Sequence, residues 1–285
     1  MNDKICDLHV HSTFSDGTQT PEQVISTAKA AGLSAVALTD HNTALGLERF
    51  CAAADGIEAV CGIELTTDHE GTELHLLGLM LFRDVWDDVN EYTAERARLK
   101  KEANRECIER IRRDGYDVSY EEFSRIFGTE NKNRAHIAMY LMQKGLCESV
   151  SAGFDTFVSK SGKYFVDTPK FDIFEAIKKV HEWGAAAVLA HPIISVGREK
   201  AAELLPRLYA AGLDGTETYY SGYTNDDHLY MQRLASSIGL LESGGSDFHA
   251  DAKPNIKMFS YDGMSMPMEC LEKLKELVKY KYSNK

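Results

Sequence analysis

Residues 4–43 read KICDLHVHSTFSDGTQTPEQVISTAKAAGLSAVALTDHNT, and this stretch decides the fold. Lys4–Val10 is apolar enough for a buried strand. Pro21–Ala31 carries a helix signature, with Thr20 as N-cap, Pro21 at the first position and Gly32 at the stop. Ser34–Thr39 (SAVALT) is a second strand, apolar on both faces as a covered parallel strand requires. Strand, helix and strand joined by short loops predict parallel pairing with right-handed crossovers.

The same rhythm extends outward, with a helix around Leu45–Ala54 and strands at Ile57–Leu65 and Glu73–Phe82. It stops near Trp86. Asp87–Arg113 is a long, highly charged helix, helix-like sequence runs on to Cys147, and a polar connector reaches Thr168. The alternation resumes with helix Phe171–Trp183, strand Ala185–Ala190, helix Lys200–Ala211 and strand Gly215–Tyr220. Helix Asp226–Ile238, strand Leu240–Ser243 and a closing helix Pro267–Tyr280 follow. About seven strands separated by helices predict a parallel α/β barrel. The barrel is expected at 1–87 and 168–285, with a mostly helical subdomain inserted at 88–167.

A hydrophobic fraction of 44% in 285 residues is enough to fill a large core. Lys and Arg number 32 against 44 Asp and Glu, a net charge of −12. Such a chain gains little from counterion release, so long nucleic acid is not expected as a partner, whereas a small phosphorylated ligand is compatible. No apolar run approaches the ~20 residues that span a bilayer, so no membrane partner is expected. The six scattered cysteines form no CxxC pair and read as reduced, mostly packed thiols. With no leader-like start, the expected location is cytoplasmic.

Residues able to ligate metal fall at one end of these strands. His9 and His11 close the first, with Asp16 in the next loop; Asp40 and His41 follow the second. Glu64 ends the third, His75 lies in the fourth, His191 ends AAAVLA, and Asp247 and His249 follow the last. Parallel α/β proteins build their active sites at these carboxyl ends. In an extended strand residues i and i+2 face the same way, so His9 and His11 project together. Imidazole with carboxylate suits Mn²⁺, Zn²⁺ or Fe²⁺, and a carboxylate such as Glu64 is able to bridge two ions. Asp40 reads as an acceptor that orients an imidazole or as a helix cap.

These residues resemble the motifs of the polymerase and histidinol phosphatase (PHP) superfamily. The matching segments are DLHVHSTFSDG at 7–17, LTDHNT at 38–43, GIE at 62–64, LHLLGL at 74–79, AHP at 190–192 and GGSDFH at 244–249. The resemblance implies a distorted seven-stranded barrel holding two to three divalent ions. One ion would take His9, His11, Glu64 and Asp247, a second Glu64, His75 and His191, and a third Asp16, His41 and His249. It also implies hydrolysis of phosphate esters by a metal-activated hydroxide, with His191 and Asp40 in the catalytic set.

Two details select a branch. Asp16 stands where histidinol phosphatases are expected to carry His. NRAHIA at 133–138 resembles the RPHIA motif of the branch acting on nucleoside 3′,5′-bisphosphates and short RNA 5′ ends, with Ala135 in place of proline. The expected substrate is therefore a 3′,5′-bisphosphonucleoside, cleaved to a 5′-mononucleotide, with Arg134 and His136 as phosphate contacts. Histidinol-phosphate phosphatase and a non-catalytic, metal-stabilised module are the alternatives.

Overall fold

The structure is a computed structural model, which describes residues 4–127, 132–258 and 265–283. The first half gives β1 (Ile5–Asp7), α1 (Pro21–Ala30), β2 (Ala35–Leu38), α2 (Leu47–Ala53), β3 (Glu58–His69) and β4 (Thr72–Leu79). Four helices follow: α3 (Trp86–Arg113), α4 (Tyr120–Phe127), α5 (Arg134–Gln143) and α6 (Val150–Gly153). The chain then forms β5 (Phe171–Asp172), α7 (Ile173–Glu182), β6 (Ala186–Leu189), α8 (Pro192–Ala210) and β7 (Gly215–Tyr220). It finishes with α9 (Asn225–Ile238), β8 (Leu241–Gly245), β9 (Met266–Pro267) and α10 (Met268–Ser283).

Local signals start the helices. Thr20 and Gln23 form a reciprocal capping box ahead of α1, with Pro21 at its first position. Thr224 and Asp227 do the same for α9, which stops at left-handed Gly239. β2 (AVAL) and β6 (AAVL) are buried at every position, as strands covered on both faces must be.

The sheet runs β8-β7-β6-β4-β3-β2-β1, and it curls until its ends meet. Beyond β1, Leu8 N–H donates to Gly244 O at 3.0 Å and Val10 bridges Phe248 in parallel, so a distorted barrel is nearly closed. The short β9 pairs antiparallel with β1, and among the seven expected strands the parallel reading fails for one: β4 runs antiparallel to both β3 and β6. The physical reason is a two-residue turn, Glu70–Gly71, with both φ angles positive (52° and 78°), the geometry that joins adjacent antiparallel strands. β3 accordingly continues to His69 rather than ending at Glu64.

A second apolar core, separate from that of the barrel, is built by the later turns of α3 with α4 and α5. Cys107, Ile108 and Ile111 of α3 pack there, whereas its first turns (Trp86, Val89) belong to the barrel core. The stretch expected to be a polar connector instead contains α6 and a π-helical turn at Phe154–Val158. Phe157 and Val158 are buried in the second core, with Phe154 packed against it, which is why this segment coils. Among the described residues no helix is long and apolar enough to cross a membrane.

Candidate metal centre

The barrel mouth is set by the seam where β1 and β8 meet. Asp7 accepts from Ser246 N–H (2.9 Å), Ser246 Oγ and His9 N–H (3.3 Å), tying the two segments together. A Cβ on Gly245 would lie 2.2 Å from that of His9, so glycine alone allows this approach. His9 and His11, two apart in extended backbone, bring their Nε2 atoms within 3.1 Å. Opposite them, Glu64 of β3 lies diagonally across from His75 of β4, because Thr66 and His75 are direct partners in the hairpin. The reversed strand therefore delivers a ligand to the mouth. His191 and Asp247 follow β6 and β8 in left-handed backbone (φ 31° and 57°), which re-aims each side chain inward.

Glu64 is the hub. Its Oε2 lies 3.2 Å from His9 Nε2, 3.1 Å from His11 Nε2 and 3.1 Å from His41 Nδ1. Its Oε1 lies 2.8 Å from His75 Nδ1 and 3.4 Å from His191 Nε2. Asp247 Oδ1 is 3.3 Å from His11 Nε2, and Asp16 Oδ1 is 3.2 Å from His249 Nε2. Three sets of ligand atoms converge within 4.8 Å: His9, His11 and Glu64; His41, Glu64 and His75; and His11, Asp16, His41 and His249. All nine residues expected as ligands meet at this mouth.

A cation fits this donor set. Both carboxylate oxygens of Glu64, Oδ1 of Asp16 and Nδ1 of His75 are buried without a hydrogen bond. Buried charge left so is costly by several kcal/mol per ion. His9 Nδ1 faces Glu217 Oε1 at 2.9 Å, an oxygen that only accepts, so Nδ1 carries the hydrogen and Nε2 turns its lone pair to the centre. The carboxylates and imidazoles also stabilise one another's charge. Burial pushes the Glu64 carboxyl up, yet His41, His9 and His75 hold it well below the usual carboxylate range. Burial works against His75⁺, but Glu64 and Glu73 raise that imidazole to about 10. Burial brings His41 down to about 3.

The surrounding side chains hold this set in place. Glu217, whose role the sequence leaves open, accepts from His9 Nδ1–H with one oxygen and from His191 N–H (2.7 Å) with the other. It fixes one ligand's tautomer and the other's strained backbone. Glu217→Gln is expected to keep the fold and weaken metal affinity about 10- to 100-fold, read by chelator competition. Unchanged affinity would mean that Glu217 positions neither histidine.

Asp40 points away from the centre. Its carboxylate accepts from Ser12 N–H (2.8 Å), Ser12 Oγ (2.6 Å) and Ser15 Oγ (2.5 Å), and Ser15 Oγ lies 3.3 Å from His11 Nδ1. The catalytic reading of Asp40 is corrected to a positioning one, acting on His11 through Ser15.

His136 also departs from expectation. It stands three residues after the N-cap Asn133 of α5, and its Nδ1 accepts from Asn133 N–H at 3.1 Å. The ring is buried edge-on against Phe127, and burial lowers it to about 4. Asn133 in turn donates to Asp16 Oδ2 at 2.7 Å, so this turn fastens the inserted helices to a ligand. His136 is thus a docking residue rather than a substrate contact. Arg134 does reach the mouth, between Phe154 and Phe165, with Nη2 3.1 Å from Glu73 Oε1. Lys163, in the same inserted segment, is exposed and paired with Asp114. Sequence reasoning missed Glu73, although it shares a strand face with His75 and holds both Arg134 and Lys170 (3.4 Å).

Comparison with known proteins agrees with this geometry. A 5'-3' exoribonuclease of Haemophilus influenzae is 31% identical over 246 residues, 85% of this chain and 89% of that protein. A phosphoribosyl 1,2-cyclic phosphate 1,2-diphosphodiesterase of Eggerthella lenta is 34% identical, covering 85% of this chain and 93% of that one. A 3',5'-nucleoside bisphosphate phosphatase of Chromobacterium violaceum is 29% identical, with 86% and 87% covered. Among solved structures, a chain from Bifidobacterium adolescentis described as a candidate metal-dependent phosphoesterase superposes with TM-score 0.83 at 26% identity, covering 95% of both chains. The PHP domain model matches residues 7–182, and with the histidine–carboxylate mouth in view the chain belongs to the PHP-domain family of metal-dependent phosphoesterases.

Proposed function

We propose that this enzyme removes one phosphate from a small molecule that carries a second, with 3′,5′-bisphosphonucleosides as preferred substrates and 5′-mononucleotides as products. Short RNA 5′ ends would enter the same site. The observation that carries this reading is a cavity of about 390 Å³ between the metal ligands and the inserted helices. Its size falls in the range of roughly 300–1,000 Å³ that encloses small ligands. One wall is His41, His75, Asp16 and His249; the other carries Arg96, Lys100, Arg134 and Lys170. His75 spans the two, with Nδ1 on Glu64 and Nε2 3.7 Å from Glu73, the carboxylate that holds Arg134. A phosphate at the centre and another beside Arg134 would thus be one side chain apart. Met139, Phe154 and Phe165 add an apolar surface for a base.

The nine ligands would hold two to three divalent ions. His9, His11, Glu64 and Asp247 suit one, Glu64, His75 and His191 another, and Asp16, His41 and His249 a third. Manganese, zinc and ferrous iron all accept imidazole with carboxylate. Such ions supply Lewis acidity to the phosphoryl oxygens and to the attacking water. The chain's own part is to orient. Glu217 aims His9 and His191, Asp40 with Ser15 aims His11, and Arg134 offers a forked donor to the phosphate that stays. Lys100 lines the same wall; burial lowers its ammonium pKa, while Asp16 and Glu73 favour the charge.

The relatives' printed names support a doubly phosphorylated substrate, since a nucleoside bisphosphate and a phosphoribosyl cyclic phosphate each carry two phosphate groups. The test is phosphate release by manganese-loaded protein from adenosine 3′,5′-bisphosphate, against AMP and histidinol phosphate. Ring opening of a phosphoribosyl 1,2-cyclic phosphate is followed in parallel. Release from the bisphosphate and little from AMP is expected. Turnover confined to histidinol phosphate, or none with metal bound, would overturn the reading. Turnover of the cyclic ester alone would keep the two-phosphate site and change the bond cleaved.

A further inference from the structure

Away from the mouth, two cysteines separated by nine residues in sequence face each other. Cys51 lies on the exposed side of α2, and Cys61 is half-buried on β3, which α2 packs against. Their Sγ atoms are 2.9 Å apart. A bonded pair of sulfurs lies at about 2.0 Å, so closing the gap asks for less than about 1 Å of sulfur movement. The other thiols are placed differently: Cys6, Cys107 and Cys270 are buried, and Cys147 lies 3.9 Å from the Ala138 carbonyl. Cys51 is the exposed exception to the expectation of mostly packed thiols.

We propose that Cys51 and Cys61 are a reversible oxidation site, at which peroxide or a small-molecule disulfide installs an internal disulfide. The two sulfurs take different roles. The hydrogen bond from Cys61 holds the Cys51 thiol below its ordinary value, whereas that bond and burial push Cys61 up. Cys51 is therefore the attacking group and Cys61 the resolving one. With hydrogen peroxide, the Cys51 thiolate attacks one oxygen, the O–O bond breaks and hydroxide leaves, giving a sulfenic acid. The Cys61 sulfur then attacks Cys51 Sγ; the S–S bond forms, the S–O bond breaks, and water leaves with the thiol proton. Two thiols and one peroxide become one disulfide and two waters. With oxidised glutathione, the same two attacks release two molecules of reduced glutathione.

Cys61 lies three residues before Glu64, so their side chains leave opposite faces of β3. The bond forms on the helix-covered side of the barrel and the ligands stay on the inner side. It would tie α2 to β3, and α2 is the helix that follows the connection carrying His41 and Asn42.

The experiment uses the full chain loaded with zinc, which does not itself react with peroxide. Protein is treated with equimolar hydrogen peroxide, or separately with oxidised glutathione, then mapped by mass spectrometry without reduction. The expected result is loss of two hydrogens, one cross-linked peptide joining Cys51 to Cys61, and full reversal by dithiothreitol. In C61S, Cys51 is expected to keep a glutathione adduct that wild type does not retain; C51S should form neither product. Alkylatable Cys51 and Cys61 after either treatment would overturn the proposal. So would sulfinic acid without a cross-link, or a persistent glutathione adduct in wild type.

Discussion

Glu64→Ala protein is expected to fold, to lose most of its bound metal, and to release phosphate at least about 10³-fold more slowly, a loss of ~4 kcal/mol in transition-state stabilisation. No other ligand is shared so widely: five imidazoles lie within 3.4 Å of its two oxygens. Each of those oxygens is buried without a hydrogen bond. Removing the carboxylate takes away a donor common to two of the three ligand groups and leaves the imidazoles to repel any cation they bind. Metal content by mass spectrometry, circular dichroism and turnover are read on the same preparation, so a misfolded variant is told apart from an empty one. Glu64→Gln, which keeps the shape and one oxygen donor but not the charge, should fall between Ala and wild type. Full metal occupancy in the folded Ala variant would remove Glu64 from the centre.

Arg134→Ala should separate binding from chemistry. A charge-assisted hydrogen bond contributes about 1.5–3 kcal/mol, so KM for adenosine 3′,5′-bisphosphate is expected to rise roughly 10- to 100-fold with kcat little changed. On the proposed reading, hydrolysis of a substrate with a single phosphate should not respond, because the lost fork would meet only the phosphate that stays. Arg134→Lys should recover part of the affinity, since a point charge replaces a planar pair of donors. A fall in kcat with unchanged KM would place Arg134 in the chemistry instead. Glu73 keeps its pair with Lys170 in this variant.

Much of this molecule is legible in its sequence. Alternating apolar runs and capped helices mark the barrel, and the acids and histidines cluster by strand end because that is where crossover loops open. The direction of β4 is not legible in the same way, since an apolar strand reads alike in either direction. It is decided by Glu70–Gly71, where only the positive backbone angles close a two-residue hairpin. The roles of Asp40 and His136 turn on hydrogen-bond direction, which residue type alone does not carry. His136 in particular occupies the position where a capping box places Glu or Gln, so a local helix signal coincided with a substrate-like motif. Glu217 looks the same in sequence whether it caps a core or aims a ligand; the two short contacts to His9 and His191 N–H separate these.

The reversed strand has one more effect. Because β4 descends, α3 begins at the far end of the barrel and its 28 residues rise past the mouth, a length of about 42 Å. Its root is shared with one apolar core and its tip with another. A single unbroken helix common to both makes their melting interdependent: unravelling either core costs helical turns that the other relies on. The two parts are therefore expected to unfold together, in a single transition.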